Sequence, residues 1–285
     1  MTLPLVVGVD GSDASLLAVD WAVDAAARGD LPLRLVYASL WERYDAAVPS
    51  FERERPSERV LAEHIVASAA ERAARRAPEV KVTTDIVPAE PVDALLREGH
   101  NACAVVTGDR GRGELKGLLL GSVGLGVAAR AHCPVIVVRG DEAGMVGMHE
   151  RILFGAGDTA TIGRAVHFAF REAEARGCVL DAVRAWRWSA QEGTDHPARE
   201  RERRAAAQLD EVLREAVAEH PGVPVRRATV EGPASRILVT RSAAADLVII
   251  GARRRHGHFG LQLGRVGHTL LYHAHCPVAV VPQLA

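Results

Sequence analysis

The sequence predicts an α/β protein: two tandem repeats of an open parallel sheet with helices on both faces. Short runs of Val, Ile and Leu alternate with longer amphipathic stretches, and the runs are nearly continuous in apolar residues, as strands covered on both sides must be. The pattern also occurs twice. HCPVIVV (132–138) returns as HCPVAVV (275–281), and Gly108 and Gly121 return as Gly251 and Gly264, all 143 residues on. LVVGVDG (5–11) is similar to ILFGAGD (152–158) at an offset of 147, so the second repeat carries four extra residues in its first part. A two-fold repeat of this length indicates duplicated domains rather than a solenoid. One unit spans 1–139 and the other 151–285. The join between them, GDEAGMVGMHE (140–150), is Gly-rich and aperiodic and reads as a linker.

In the first unit, residues 4–9 (PLVVGV) are too short for a helix and rich in Val, which predicts the opening strand. Residues 14–28 place Leu17 and Trp21 four apart, with Leu16, Val19 and Val23 alongside, predicting a helix that ends at Gly29. LRLVYA (33–38) reads as a strand, 57–77 as a long Ala/Glu/Arg helix, and VKVTTDIV (80–87) as a strand. PVDALLREG (91–99) opens on a Pro suited to a first helical turn and closes on Gly. ACAVVTG (102–108) predicts a strand, SVGLGVAARA (122–131) a helix, and PVIVV (134–138) the last strand. The second unit follows suit, with a helix at 198–220 and strands at 179–184, 225–230, 246–251 and 277–281.

Composition narrows the function classes. The 285 residues are enough for two cores. A net charge of −1, with 25% charged residues of both signs interspersed, argues against nucleic acid or an anionic membrane as partner. At 4% aromatic residues, a base-stacking surface is not expected. Cys103, Cys133, Cys178 and Cys276 lie far apart with no C-x-x-C pair, which fits a reducing cytosol rather than a disulfide framework. MTLPLVVGVDGSD lacks the basic region of a signal peptide, and no apolar run reaches the ~18 residues of a membrane span. The expectation is a soluble, cytoplasmic protein.

Ligands of open α/β sheets bind beyond the carboxyl ends of the strands, where strand order reverses. Two loops at such ends stand out. After the first strand comes Asp10-Gly11-Ser12-Asp13, a carboxylate and a glycine with helix-capping residues. After the fourth comes Gly108-x-x-Gly111, followed ten residues later by Gly121-Ser122. Glycines there let backbone amides approach an anion, and Ser122 stands at a helix start, where N–H groups and the dipole favour phosphate. A plain turn and a capped helix are the competing reading of the same residues.

The spacing G-x2-G-x9-G-S (108–122), VGVDGS (7–12), Val87-Pro91-Leu95 and HCPVIVV, in this order, resembles the universal stress protein family, specifically its ATP-binding branch. The resemblance covers both halves. It implies a Rossmann-like, five-stranded parallel sheet in the order 3-2-1-4-5, so that the loops after strands one and four meet at one pocket. By position, it implies that Asp10 contacts adenosine, with Gly8 and Val9 lining that strand end and Ala38 near the adenine. Thr107, Gly108 and Gly111 would flank ribose and phosphates, and Gly121, Ser122 and Val123 would hold the phosphates. The implied cofactor is ATP, with Mg2+ as a companion. Ala89 departs from the family's usual glycine at the pocket rim. The family pairs domains through its last strand. PVIVV and PVAVV, apolar strands at a sheet edge, would therefore pair within the chain, and a homodimer is a further option.

The second half departs further. Gly111 is matched by Arg254, Ser122 by Arg265 and Asp10 by Gly157, with Asp158 one residue away. A guanidinium can neutralise phosphate but adds bulk where a ligand should lie. This half reads as a retained scaffold with a degenerate motif, or as a site where Arg253, Arg254, Arg255 and Arg265 take another anion. GAGDTA (155–160) fits a dinucleotide pattern, but its place in the repeat is that of VGVDGS. No G-x4-G-K-[S/T] occurs, and His256, His258, His273 and His275 have no metal-ligand spacing. RERRAAAQLDEVLRE (201–215) reads as an amphipathic helix, while Trp186 and Trp188 read as packing, rim or interface residues. Two function classes result. One is an ATP-binding stress-response regulator that acts through protein contacts and hydrolyses ATP slowly at most, with Arg110, Arg112 and Lys116 available to neutralise phosphate. The other is an adenylating or slow ATP-hydrolysing enzyme, for which DGSDAS (10–15) is a distant echo of a glycine-rich loop. An assembly module without nucleotide is a third.

Overall fold

The computed structural model describes residues 2–40, 56–111, 120–157, 163–187, 198–253 and 263–283. The chain divides into two compact units, Met1–Val138 and Arg139–Ala285.

The first unit runs β1 (Leu5–Gly8), α1 (Asp13–Gly29), β2 (Leu33–Ala38), α2 (Pro56–Arg76), β3 (Val82–Val87), α3 (Pro91–Glu98), β4 (Ala104–Gly108), α4 (Ser122–Arg130) and β5 (Val135–Val138), with one 3-10 turn after α3. Its strands are parallel in the order β3-β2-β1-β4-β5. Val6, Val7, Val105 and Val106 are fully buried, which accounts for the uninterrupted apolar runs. The buried stripe of α1 is Ala18, Val19, Ala22, Val23 and Ala26 beside Trp21. Leu17, which the periodicity puts on the apolar face, is instead 42% exposed. The small alanines lie against the sheet, and a rule based on apolar size overlooks them. The helix keeps Gly29 as its last residue, and Asp30 takes the left-handed cap at φ 48°. Arg72 and Arg76 clamp Asp20 and Asp24 bidentately at 2.6–2.8 Å, tying α2 to α1.

The second unit contains α5 (Glu142–Val146), β6 (Arg151–Gly155), α6 (Gly163–Arg176), β7 (Val179–Trp186), α7 (Ala198–Glu219), β8 (Val225–Glu231), α8 (Ala234–Ser242), β9 (Leu247–Arg253), α9 (Arg265–His273) and β10 (Val278–Gln283). Its strands are parallel in the order β8-β7-β6-β9-β10. The amphipathic expectation for 201–215 matches the buried face of Ala205, Leu209, Leu213 and Ala216 on α7. The stretch read as an aperiodic join is ordered against this unit. Asp141 caps α5 by accepting from Gly144 N at 2.9 Å, and Asp141 N donates to His275 O at 3.0 Å. The Asp246 carboxylate, only 2% exposed, accepts from His149 N at 2.9 Å and Arg151 N at 3.1 Å. Capping and a buried acceptor hold this segment, and neither leaves a periodic trace in sequence. Among the described residues no helix is long and apolar enough to cross a membrane.

Candidate nucleotide site

In each unit the strand order reverses between the first and fourth strands, and a cavity opens there beyond their carboxyl ends. The cavity of the first unit measures about 430 Å³. The end of β1 contributes Gly8, Val9 and Asp10, and the end of β2 contributes Ala38. From the end of β4 come Thr107 and Gly108, with Gly111 beyond them. Gly121, Ser122 and Val123 open α4 on the facing side. All ten residues selected from sequence thus line one space. Ser15, Val36, Pro91, Leu95, Arg110, Leu120 and Gly124 line it as well. Pro91 and Leu95 carry a signal in the motif they share with Val87, whereas Ser15 and Val36 look like ordinary core residues in sequence. Ala89 is buried and not part of the lining. Arg112 and Lys116 lie outside the described residues.

The strand-one loop is rigidly wired. Asp10 Oδ1 accepts from Ser12 N at 2.9 Å and from Ser12 Oγ at 2.6 Å. Ser12 Oγ in turn accepts from Ser15 N at 3.2 Å, capping α1. Two glycines let the strand-four loop close on it. A Cβ on Gly108 would fall 2.6 Å from Ala14 O, a backbone atom that cannot give way. One on Gly111 would fall 2.7 Å from Asp10 Oδ2, and Asp10 is already anchored through its other oxygen. The sequence reading gives Gly111 the task of making room for phosphate, and the geometry adds the Asp10 carboxylate as its immediate neighbour.

Two features of this cavity ask for a ligand. Helix α4 starts from Gly121 with no side-chain cap, so the amides of its first turn face the cavity without an acceptor from a capping side chain. Thr107 is 4% exposed, and its Oγ1 has no hydrogen-bond partner among the described residues. A buried orphan hydroxyl costs about 1–3 kcal/mol, which a polar ligand would relieve.

The second cavity, about 720 Å³, is bounded by Gly155–Gly157, the end of β7, α8 and the start of α9. Of the four arginines singled out in sequence, Arg265 lines it. Arg254 and Arg255 lie outside the described residues, as do Asp158, Trp188, His256 and His258. Trp186 ends β7 with its indole Nε1 buried and unpartnered among the described residues. No cluster of three or more metal-ligating side chains occurs among the described residues.

The model of the universal stress protein family matches residues 1–139 and again 148–282. The chain belongs to the universal stress protein family. Universal stress protein Rv2623 of Mycobacterium tuberculosis is 32% identical over 295 residues, covering 99% of this chain and 97% of the relative. Universal stress protein Rv2005c of the same organism is 34% identical over 293 residues, covering 98% and 97%. A crystal structure of a universal stress protein from Archaeoglobus fulgidus shares the fold, with a TM-score of 0.69 at 17% identity, covering 99% of this chain and 96% of that one. Tandem universal stress domains thus account for the internal repeat.

Proposed function

We propose that this universal stress protein binds ATP, with or without Mg2+, in its first unit, and that it acts in the cytoplasm as a stress-response regulator whose protein contacts depend on the bound nucleotide. The observation that carries this reading is the convergence of Asp10, the orphan Thr107 hydroxyl and the uncapped start of α4 on one cavity. Asp10 offers an acceptor to hydroxyl groups, and the amides and Ser122 offer donors to phosphate oxygens. Arg110, exposed at the same cavity and 3.5 Å from the Asp109 carboxylate, offers a guanidinium that phosphate oxygens can share. The reading is of a binder rather than a fast catalyst, because the Asp10 carboxylate is engaged with Ser12.

Calorimetric titration of the full chain with ATP tests this directly, with and without Mg2+. One site per chain is expected. Gly121→Asp and Asp10→Ala should abolish it, and Thr107→Val, isosteric but without the hydroxyl, should weaken it about tenfold. No binding, or two equal sites, overturns the assignment. Fast multiple turnover of labelled ATP would favour the enzyme reading instead. Pairing of the two units through their last strands, and a homodimer, belong to the same proposal, and sedimentation with and without ATP tests the dimer.

A further inference from the structure

The cysteines are far apart in sequence, yet the fold brings two of them to neighbouring positions. Strands β4 and β5 are parallel neighbours with Val105 opposite Val135, and Val105 N donates to Pro134 O at 2.9 Å. Two residues back along each chain segment stand Cys103 and Cys133, just outside strands that begin at Ala104 and Val135. The side chains of these segments meet, since His100 and His132 have ring centroids 5.0 Å apart. Cys133 Sγ and Val105 Cγ2 both face Gly99, at 3.1 and 3.3 Å from where a Cβ on it would fall. The second unit shows what lies within reach at these places. Asp246 and Cys276 stand there, and burial, followed by the Asp246 carboxylate, pushes the Cys276 thiol up. Side chains at the two positions are thus close enough to act on one another.

Neighbouring strands lie about 4.8 Å apart, inside the range of roughly 4.4–6.8 Å between the Cα atoms of bridged cysteines. Both residues carry thiols in this structure. Cys103 is half-buried and open to a small solute, whereas Cys133 is 6% exposed, a division that suits an attacking and a resolving thiol. We infer that Cys103 and Cys133 are a redox couple, which a hydroperoxide oxidises to a disulfide and a small thiol reduces again. The Cys103 thiolate attacks one peroxide oxygen, the O–O bond breaks, and with a proton the other oxygen leaves as water, giving a sulfenic acid. Cys133 then attacks the Cys103 sulfur. The S–S bond forms, the S–O bond breaks, and hydroxide leaves as water with the Cys133 proton. Two thiols give up two electrons, and hydrogen peroxide becomes two waters. Such transient, redox-sensing bonds are the kind that occur in a reducing compartment. The loop so closed contains Thr107, Gly108, Gly111 and Gly121–Gly124 of the first cavity, although neither cysteine lines it. The inference does not rest on the ATP reading.

The test treats the reduced, folded full chain with hydrogen peroxide, alkylates the remaining thiols after unfolding, and maps the peptides without reductant by mass spectrometry. Loss of two of the four thiols is expected, with Cys103 joined to Cys133 within one chain, Cys178 and Cys276 alkylated, and full reversal by dithiothreitol. In Cys133→Ser the sulfenic acid on Cys103 should persist and be trapped by dimedone, whereas Cys103→Ser should give no cross-link. Unfolding in urea before the peroxide should scatter the cross-links over other pairs, which shows that the fold selects this one. Both thiols surviving in the native chain, equal cross-linking to Cys178 or Cys276, or a Cys103 sulfenic acid that persists with Cys133 present would each overturn the inference.

Discussion

Asp10 and Gly111 form a coupled pair, and the repeat shows what happens when both change. In the first unit a Cβ at Gly111 would fall 2.7 Å from Asp10 Oδ2, so the anchored carboxylate or the loop would have to shift. In the second unit the position of Asp10 is Gly157 and that of Gly111 is Arg254, so the obstacle is lost together with the glycine it requires. Gly111→Ala alone should therefore destabilise the chain by about 1–3 kcal/mol, as overpacking does. Asp10→Gly combined with Gly111→Ala should be as stable as Asp10→Gly alone, within about 0.5 kcal/mol, giving a coupling that urea denaturation of the four proteins will read. A purely additive cycle would mean that the contact exerts no force. The glycine is legible in the sequence as part of a motif, but its neighbour is not, because the two residues come from opposite ends of the unit's chain.

Between elements, the two units solve one contact with opposite polarity. Arg34 on β2 donates to Glu98 at the end of α3 at 2.7 Å and to Asp85 on β3 at 2.6 Å. The Glu98 hydrogen bond, outweighing the opposing cost of burial, holds the Arg34 guanidinium above its ordinary pKa. At the matching positions Asp181 on β7 accepts from Arg241 on α8 at 3.0 Å, and Asp85 is replaced by Ala228. The inversion is tolerable only with that third change, since a carboxylate beside Asp85 would meet a like charge. Arg34→Asp with Glu98→Arg should thus cost about 1 kcal/mol, and adding Asp85→Ala should recover most of it in thermal denaturation. Equal losses with and without Asp85 would sink this account. The strands that carry these residues are plain in the sequence because burial on both faces leaves long apolar runs. The α1 face is less plain, since Ala18, Ala22 and Ala26 do there what Leu17 is expected to do.

Across the whole molecule, the repeat and the place of the first unit's cavity follow from sequence, whereas the ordered segment before β6 does not, because the Asp141 cap and the buried Asp246 carboxylate that hold it leave no periodic trace. The same region sets an alkaline limit on stability. Burial, with Asp246 and Asp141 adding to it, pushes the Cys276 thiol well above its ordinary 9.0, and burial likewise raises Cys178. A pKa raised on folding stabilises fully below the unfolded value and less as pH climbs beyond it. By pH 10 the unaltered chain should have lost about 1.4 kcal/mol more than Cys276→Ala, measured as the change in unfolding free energy from pH 7.5. Parallel pH profiles would refute this. Asp246 itself has a history in the repeat. Its two backbone donors are His149 N and Arg151 N, and the first unit has Pro4, which has no N–H, opposite Cys103 at the matching positions. Each pairing is self-consistent and each cross-pairing is not: cysteine facing Arg151 takes the carboxylate acceptor from the Arg151 N–H, and aspartate facing Pro4 has one backbone donor fewer. Moving one of these residues alone into the other unit therefore leaves a mismatched pair. The contact thus makes the two positions of each unit interchangeable only as a pair.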